Sequence, residues 1–182
     1  MDQRPSSPSG DPAAPDEVVA VYDTAGAVIG TAPRSRVYAE GLWHASAGVL
    51  LRSMDGSRVY VHRRSLDKAV FAGMHDCVAG GVVDPGESPG ETAVRELAEE
   101  LGVTGVELSP IAQVRWDGRW DGKPLRCHLF AFEGRYDGPI SHQASEIVDG
   151  WWWTDAELRA HLADPAWAFV PDTRALLAGY FA

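Results

Sequence analysis

The segment GGVVDPGESPGETAVRELAEELGV, residues 80–103, constrains this chain more than any other, because it specifies both ends of a helix and crowds charge between them. Ser88, Pro89 and Glu91 stand as N-cap, first and third helical residues, a pattern in which serine and glutamate satisfy each other's backbone amides. Gly102 is placed to end the helix in the left-handed conformation that glycine adopts without steric cost. The spacing predicts a helix over 89–101. At about 100° per residue, Val94, Leu97, Ala98 and Leu101 form an apolar stripe expected to face a sheet. Glu96, Glu99 and Glu100 then group on the opposite side.

The segment holds six acidic side chains against the single Arg95. Like charges one helical turn apart each cost about 0.2–0.5 kcal/mol, so something offsets the repulsion. A solvated face is one answer. A hard divalent cation is the other, since Mg²⁺ and Mn²⁺ take oxygen ligands and tolerate shared carboxylates. Gly80 and Gly81, just ahead of the turn, allow a backbone carbonyl to approach such an ion. Glu87 is spaced to fold back onto Arg95, which would fix the loop against the helix.

Gly81, Glu87, Arg95, Glu96, Leu97, Glu99, Glu100, Gly102 and Val103 together spell G-x5-E-x7-R-E-U-x-E-E-x-G-U, with U aliphatic. On these residues the chain resembles the Nudix superfamily. The context HRRSLDKAVFAGMHDCVAGGVVDPGES is similar to the branch that includes isopentenyl-diphosphate isomerases and related bacterial hydrolases. The resemblance implies an α/β fold, an α/β/α sandwich around a mixed sheet. It also implies hydrolysis of the diphosphate bond in a nucleoside diphosphate linked to another moiety or in a related organic pyrophosphate. By motif position Glu96, Glu99, Glu100 and the Gly81 carbonyl would hold Mg²⁺ or Mn²⁺, with Glu87 and Arg95 as a structural pair. The ion would neutralise diphosphate oxygens and activate water. Glu96, Glu99 or the downstream Glu146 would take the proton.

The isomerase alternative can be tested by position. Arg64 and Lys68 match residues that hold the isomerase diphosphate, and His44 matches a metal-binding histidine. The isomerase catalytic cysteine, however, falls at Gly80, a further metal histidine at Val82, and the catalytic glutamate near Arg126. Cys77 is three residues from the required place, an odd offset that points to the other strand face, and reads as a core cysteine. His44 without its fellow ligands reads as a packed histidine. A nucleotide-sensing domain is a third reading, but such domains typically lose box glutamates, and all are kept here. Under the hydrolase reading Arg64 and Lys68 are candidates for the phosphate oxygens, against an ordinary solvated pair. Trp116, Trp120 and Arg119 of WDGRWDGKP are candidates to stack on a planar group, against tryptophans that cover the core.

Elsewhere, residues 17–182 read as one domain. Val18–Tyr22 and Val28–Gly30 flank a turn, as do Ala47–Leu51 and Val59–Val61 around Asp55-Gly56-Ser57. Strands are expected at 76–83, 113–116, 125–133 and 150–154, with Trp151, Trp152 and Trp153 on a buried strand whose alternate rings fill both faces of a central sheet. Thr154 and Glu157 start another helix, and a last one is expected over about 172–181. Residues 1–16, with four prolines and three serines, are expected to form a flexible tail.

A net charge of −10 argues against nucleic-acid binding, which needs clustered cations. No run reaches the roughly 18 apolar residues of a membrane span. Two cysteines 50 positions apart suggest neither disulfide framework nor zinc site, fitting a cytoplasmic protein; that its partner is a small-molecule diphosphate is what the resemblance implies. Oligomeric state is left open, a homodimer included. The group attached to the diphosphate is not legible in the box.

Overall fold

The chain begins, in the computed structural model describing residues 16–181, with a hairpin of β1 (Val18–Tyr22) and β2 (Val28–Pro33), followed by α1 (Arg34–Glu40). Helix α1 was not expected from the sequence. Its C-cap, Gly41, has φ 62°, the signal that marks its end. Asp16, assigned above to the tail, accepts a hydrogen bond from the Ser35 amide at 3.2 Å, and Glu17 pairs with Arg34. The rest of the expected tail lies outside the described residues.

Next come β3 (Trp43–Arg52) and β4 (Arg58–Arg64), joined at the expected turn. They do not form a continuous hairpin: only Arg52 and Val59 pair, after which the strands part. β3 pairs antiparallel with β6 (Ala79–Val82) and parallel with β8 (Lys123–Arg135), while β4 pairs with β5 (His75–Asp76) and β9 (Ile147–Thr154). The expected strand at 76–83 is therefore two short ones. The break falls where the Asp76 carboxylate takes the amides of Cys77 and Val78 at 2.7 and 3.1 Å, withdrawing them from the ladder.

The expected WDGRWDGKP loop is also mostly strand. β7 (Ser109–Trp120) and β8 pair up to Trp120 and Lys123, around Asp121 and Gly122 at φ 48° and 74°. Two central residues with positive φ make the tight turn that matches strand twist.

Helix α2 (Pro89–Leu101) covers one face of the sheet, against Ala45, Ala47, Val49 and Leu51. Helices α3 (Asp155–Leu162) and α4 (Pro171–Leu176) lie on the other, where Leu158, Leu176 and Leu177 meet Leu50, Cys127 and Leu129. With both faces of β3 covered, its burial is nearly continuous. This is an α/β/α sandwich on a mixed sheet.

Two further expectations need correction. The last helix stops at Leu176, and residues 177–180 continue as turns. The tryptophan strand β9 pairs only with β4 among the described residues, so it is an edge strand and not a buried one; Trp152 and Trp153 reach the cores on opposite faces and Trp151 is 36% exposed. Among the described residues no helix is long and apolar enough to cross a membrane.

Candidate active site

Both capping bonds of the expected box form at Ser88 and Glu91, and Gly102 closes α2 at φ 66°. The helix is rotated from its expected setting. Ala93, Leu97 and Leu101 make the buried stripe, Ala98 is only half-buried, and Val94 is 53% exposed. The rotation turns Glu100 inward, to 3% exposure, where its carboxylate accepts the Gly80 amide at 3.0 Å. Thus the three glutamates do not share a solvent face: Glu100 is buried, Glu96 half-buried and Glu99 exposed. A polar side chain held in the apolar stripe is a departure the hydrophobic wheel cannot register.

Gly81 abuts Glu96 so closely that a β-carbon there would lie 2.2 Å from Glu96 Oε1. A β-carbon on Gly80 would lie 2.3 Å from the Ala47 carbonyl oxygen. Strand β6 can pass between β3 and α2 only as backbone, which explains both glycines. The Gly80 contact also leaves no room for the isomerase cysteine. Cys77 is buried among the residues under α3 and α4, and burial raises its thiol pKa well above the usual range.

Arg95 is the hub of the acidic segment. It donates to Glu87 at 3.0 Å and to Glu96 at 2.7 Å, and approaches Glu99 at 3.5 Å and Asp84 at 3.7 Å. Thr92 donates to the same Glu87 carboxylate at 2.7 Å. These bonds hold Glu87 below its usual pKa and raise that of Arg95. Glu96 is pushed up by burial, with Arg95 opposing. Burial pushes Glu100 up to about 8, against the pull of Lys68 and Arg64 and with the help of Glu96 and Glu146.

Among the described residues no three carboxylate, histidine or cysteine side chains are gathered closely enough to hold an ion. The reason lies in their partners: Arg95 draws Glu96 and Glu99 aside, and the Gly80 amide holds Glu100. The donor set still suits a hard cation. It is all oxygen, and the close Gly81–Glu96 contact brings a backbone segment against a carboxylate as a shared ligand shell requires.

A cavity of about 350 Å³ opens beside Gly80 and Gly81. Arg64, Lys68 and Glu146 all line it, so Glu146 joins a pair of cations about eighty residues earlier in the sequence. Lys68 forms an ion pair with Glu146, whose own carbonyl accepts the Ser65 amide at 2.8 Å. Arg64 donates to the Val70 carbonyl at 3.2 Å, and its Nε is buried without a partner. The loop carrying Lys68 ends at Phe71, which is buried at φ 56° with its ring edge-on to Trp116 and Trp120.

Trp116 therefore lies behind the cavity wall, not on it. Arg119 projects from the opposite face of β7, is exposed, and donates to the Gly122 carbonyl. Alternation along the strand separates it from both tryptophans, so it does not join the expected substrate-binding group. The cavity also brings in residues that sequence reasoning passed over, Asp76 and Asp172 foremost. Asp172 had read only as the start of a helix, and Asp76 as a strand end. His44 lines the cavity as well; it is 4% exposed and meets Tyr38 edge-on.

An α/β/α sandwich with carboxylates on one helix, beside a cavity lined by an arginine and a lysine, is the architecture of an enzyme domain. Comparison with known proteins gives the family: the NUDIX domain profile matches residues 42–173. A Nudix hydrolase of Rhodococcus erythropolis is 68% identical over 170 residues, covering 91% of this chain and 92% of its own length. The Nudix hydrolase YfcD of Escherichia coli is 30% identical over 164 residues, covering 89% and 85%. The crystal structure of DR0079 from Deinococcus radiodurans shares the fold, with TM-score 0.73 and 23% identity over 90% of this chain and 99% of that one. The chain belongs to the Nudix family and is a Nudix hydrolase.

Proposed function

We propose that this hydrolase cleaves the diphosphate bridge of a small organic diphosphate, a nucleoside diphosphate derivative among them, with Mg²⁺ or Mn²⁺ as cofactor. The observation that carries this reading is the meeting of Glu100, Lys68, Arg64 and Glu146 at the glycine strand, where two cations and a carboxylate line the cavity next to a helix of glutamates. Glu96, Glu99, Glu100 and the Gly81 carbonyl would hold the ion. A bound divalent cation supplies neutralisation of diphosphate oxygens and a lowered pKa for water.

The chain's own residues do the rest. Lys68 and Arg64 bind phosphate oxygens, Arg64 through a guanidinium suited to paired contacts. When Lys68 turns to phosphate it releases the Glu146 carboxylate, which then accepts the proton of the attacking water. Arg95 keeps Glu87 and Glu96 in register with α2. Two buried, unpaired cysteines fit a reducing compartment, so we also propose a cytoplasmic location.

A panel of organic diphosphates, incubated with either metal in ¹⁸O-labelled water and read by mass spectrometry, tests the reaction. The label is expected in a phosphate product, and chelation is expected to abolish turnover. Label in a hydroxyl bonded to carbon would mean cleavage of a carbon–oxygen bond and would sink the proposed reaction. Undiminished turnover in chelator would remove the metal.

A further inference from the structure

The cavity extends from Lys68 and Glu146 to a wall made by β5, β8 and α4, where Val78, Leu125, Leu129 and Leu176 supply apolar surface. Two carboxyl groups interrupt that surface, Asp76 and Asp172. Each holds a local turn through its Oδ1, and Thr173 adds a side-chain hydrogen bond to Asp76. Asp76 Oδ1 takes the Cys77 and Val78 amides, and Asp172 Oδ1 takes the Thr173 amide at 2.7 Å. Neutral asparagine would serve both tasks.

Neither acid has a salt bridge among the described residues. Arg64 is the cation near enough to pull on both, and its Nε is itself unpartnered. Burial first, and then the neighbouring Asp76 charge, push Asp172 up to about 7, while burial raises Asp76. His44, which lines the same cavity and is buried to 4%, has no hydrogen-bond partner at Nδ1. A hydrocarbon group placed here would add no hydrogen bond to the two acids and would leave Arg64 Nε and His44 Nδ1 unpaired, and a site built to bond N–H or O–H groups rejects analogues that lack them.

We infer that Asp76 and Asp172 select the organic group carried by the diphosphate, and that this group presents N–H or O–H donors to them. The shared chemistry is hydrogen-bond donation, from an amino-bearing heterocycle or from a polyhydroxylated chain. This inference rests on the diphosphate-hydrolase reading for the position of the phosphates, yet binding tests it without any turnover.

Calorimetry with Mg²⁺ and the methylene-bridged analogues of adenosine diphosphate, ribose 5-diphosphate and isopentenyl diphosphate makes the test, with Asp172→Leu, Asp172→Asn and Asp76→Asn beside the wild type. At least one donor-bearing analogue is expected to bind about tenfold or more tighter than the isopentenyl one. Asp172→Leu is expected to erase that ratio, and Asp172→Asn, which keeps the local amide bond, to reduce it. Tight binding of the ribose compound would assign the donors to hydroxyls; a requirement for the adenosine compound would assign them to the heterocycle. Equal or better binding of the isopentenyl analogue, an unchanged ratio in Asp172→Asn and Asp76→Asn variants with native unfolding midpoints, or no binding of any analogue overturns the inference. Binding selectivity without hydrolysis of the natural diphosphates would strike the hydrolase reading alone.

Discussion

Residues 81–103 supply the helix carboxylates from one strand, one turn and one helix, whereas the cavity beside them is assembled from His44, Arg64 to Phe71, Asp76, Glu146 and Asp172. The first region contains its own counter-ion, Arg95, bonded to Glu87 and Glu96. The second buries acids whose charge is met only at a distance, by Arg64. A region that carries its own compensation can stay constant while the substrate varies. A wall of buried acids without an ion-pair partner among the described residues is tied to whatever fills it.

The largest effect that would sharpen this contrast is at Glu100. Glu100→Gln, and likewise Glu99→Gln, is expected to lower kcat by about a hundredfold or more, beyond the usual loss for an outer-shell residue. Glu100→Gln should leave the fold intact, since the amide oxygen can still accept from Gly80. Wild-type rates in both variants would remove these glutamates from the catalytic site.

Arg95→Leu comes next. It strips a partly buried hub from Glu87 and Glu96, and is expected to cost about 1–3 kcal/mol in urea unfolding. A change below about 0.5 kcal/mol would show that the acidic segment does not depend on its own arginine.

A smaller effect is in pH dependence. The Glu100 pKa is raised on folding, from 4.5 to about 8, so the folded metal-free protein binds more protons than the unfolded chain across that interval. Its contribution to stability is present below about pH 4.5 and is lost as pH rises towards 8. His44 and His62 act oppositely below pH 6.5, because burial lowers them to about 4 and about 3. The difference between wild type and Glu100→Gln isolates the carboxyl: the wild type should lose stability relative to the variant as pH rises from 5 to about 8, and parallel curves would contradict it. Smallest of all, Arg119→Ala is expected to change kcat/KM by less than about twofold, within the range of surface substitutions. A large loss there would bring the hairpin tip back into the site.

The same contrast explains what could be read from the sequence. Caps, motif and glycine pair depend on neighbours along the chain, and Ser88, Glu91, Gly102 and the Glu87–Arg95 pair stand as their spacing implied. The setting of α2 was misread because a wheel scores Val94 as apolar and Glu100 as polar, while the Gly80 amide draws the glutamate inward. The union of Arg64, Lys68 and Glu146 follows from β4 pairing with β9 rather than along β3, a choice made by tertiary packing. Asp76 and Asp172 carry no motif; they meet because the Val170 amide bonds the His75 carbonyl and so brings α4 alongside β5.

Phe71 extends these connections beyond the site. A bulky residue in the left-handed region is strained by about 1–3 kcal/mol, and here the strain is held between Trp116 and Trp120, while the Trp120 indole donates to the Ala69 carbonyl. The hairpin tip thus acts as a clamp on a sprung loop, and what the spring positions is Lys68. Shortening either indole is expected to let the loop relax and Lys68 drift, so the reach of the phosphate-binding cation is set by rings that never touch the phosphate.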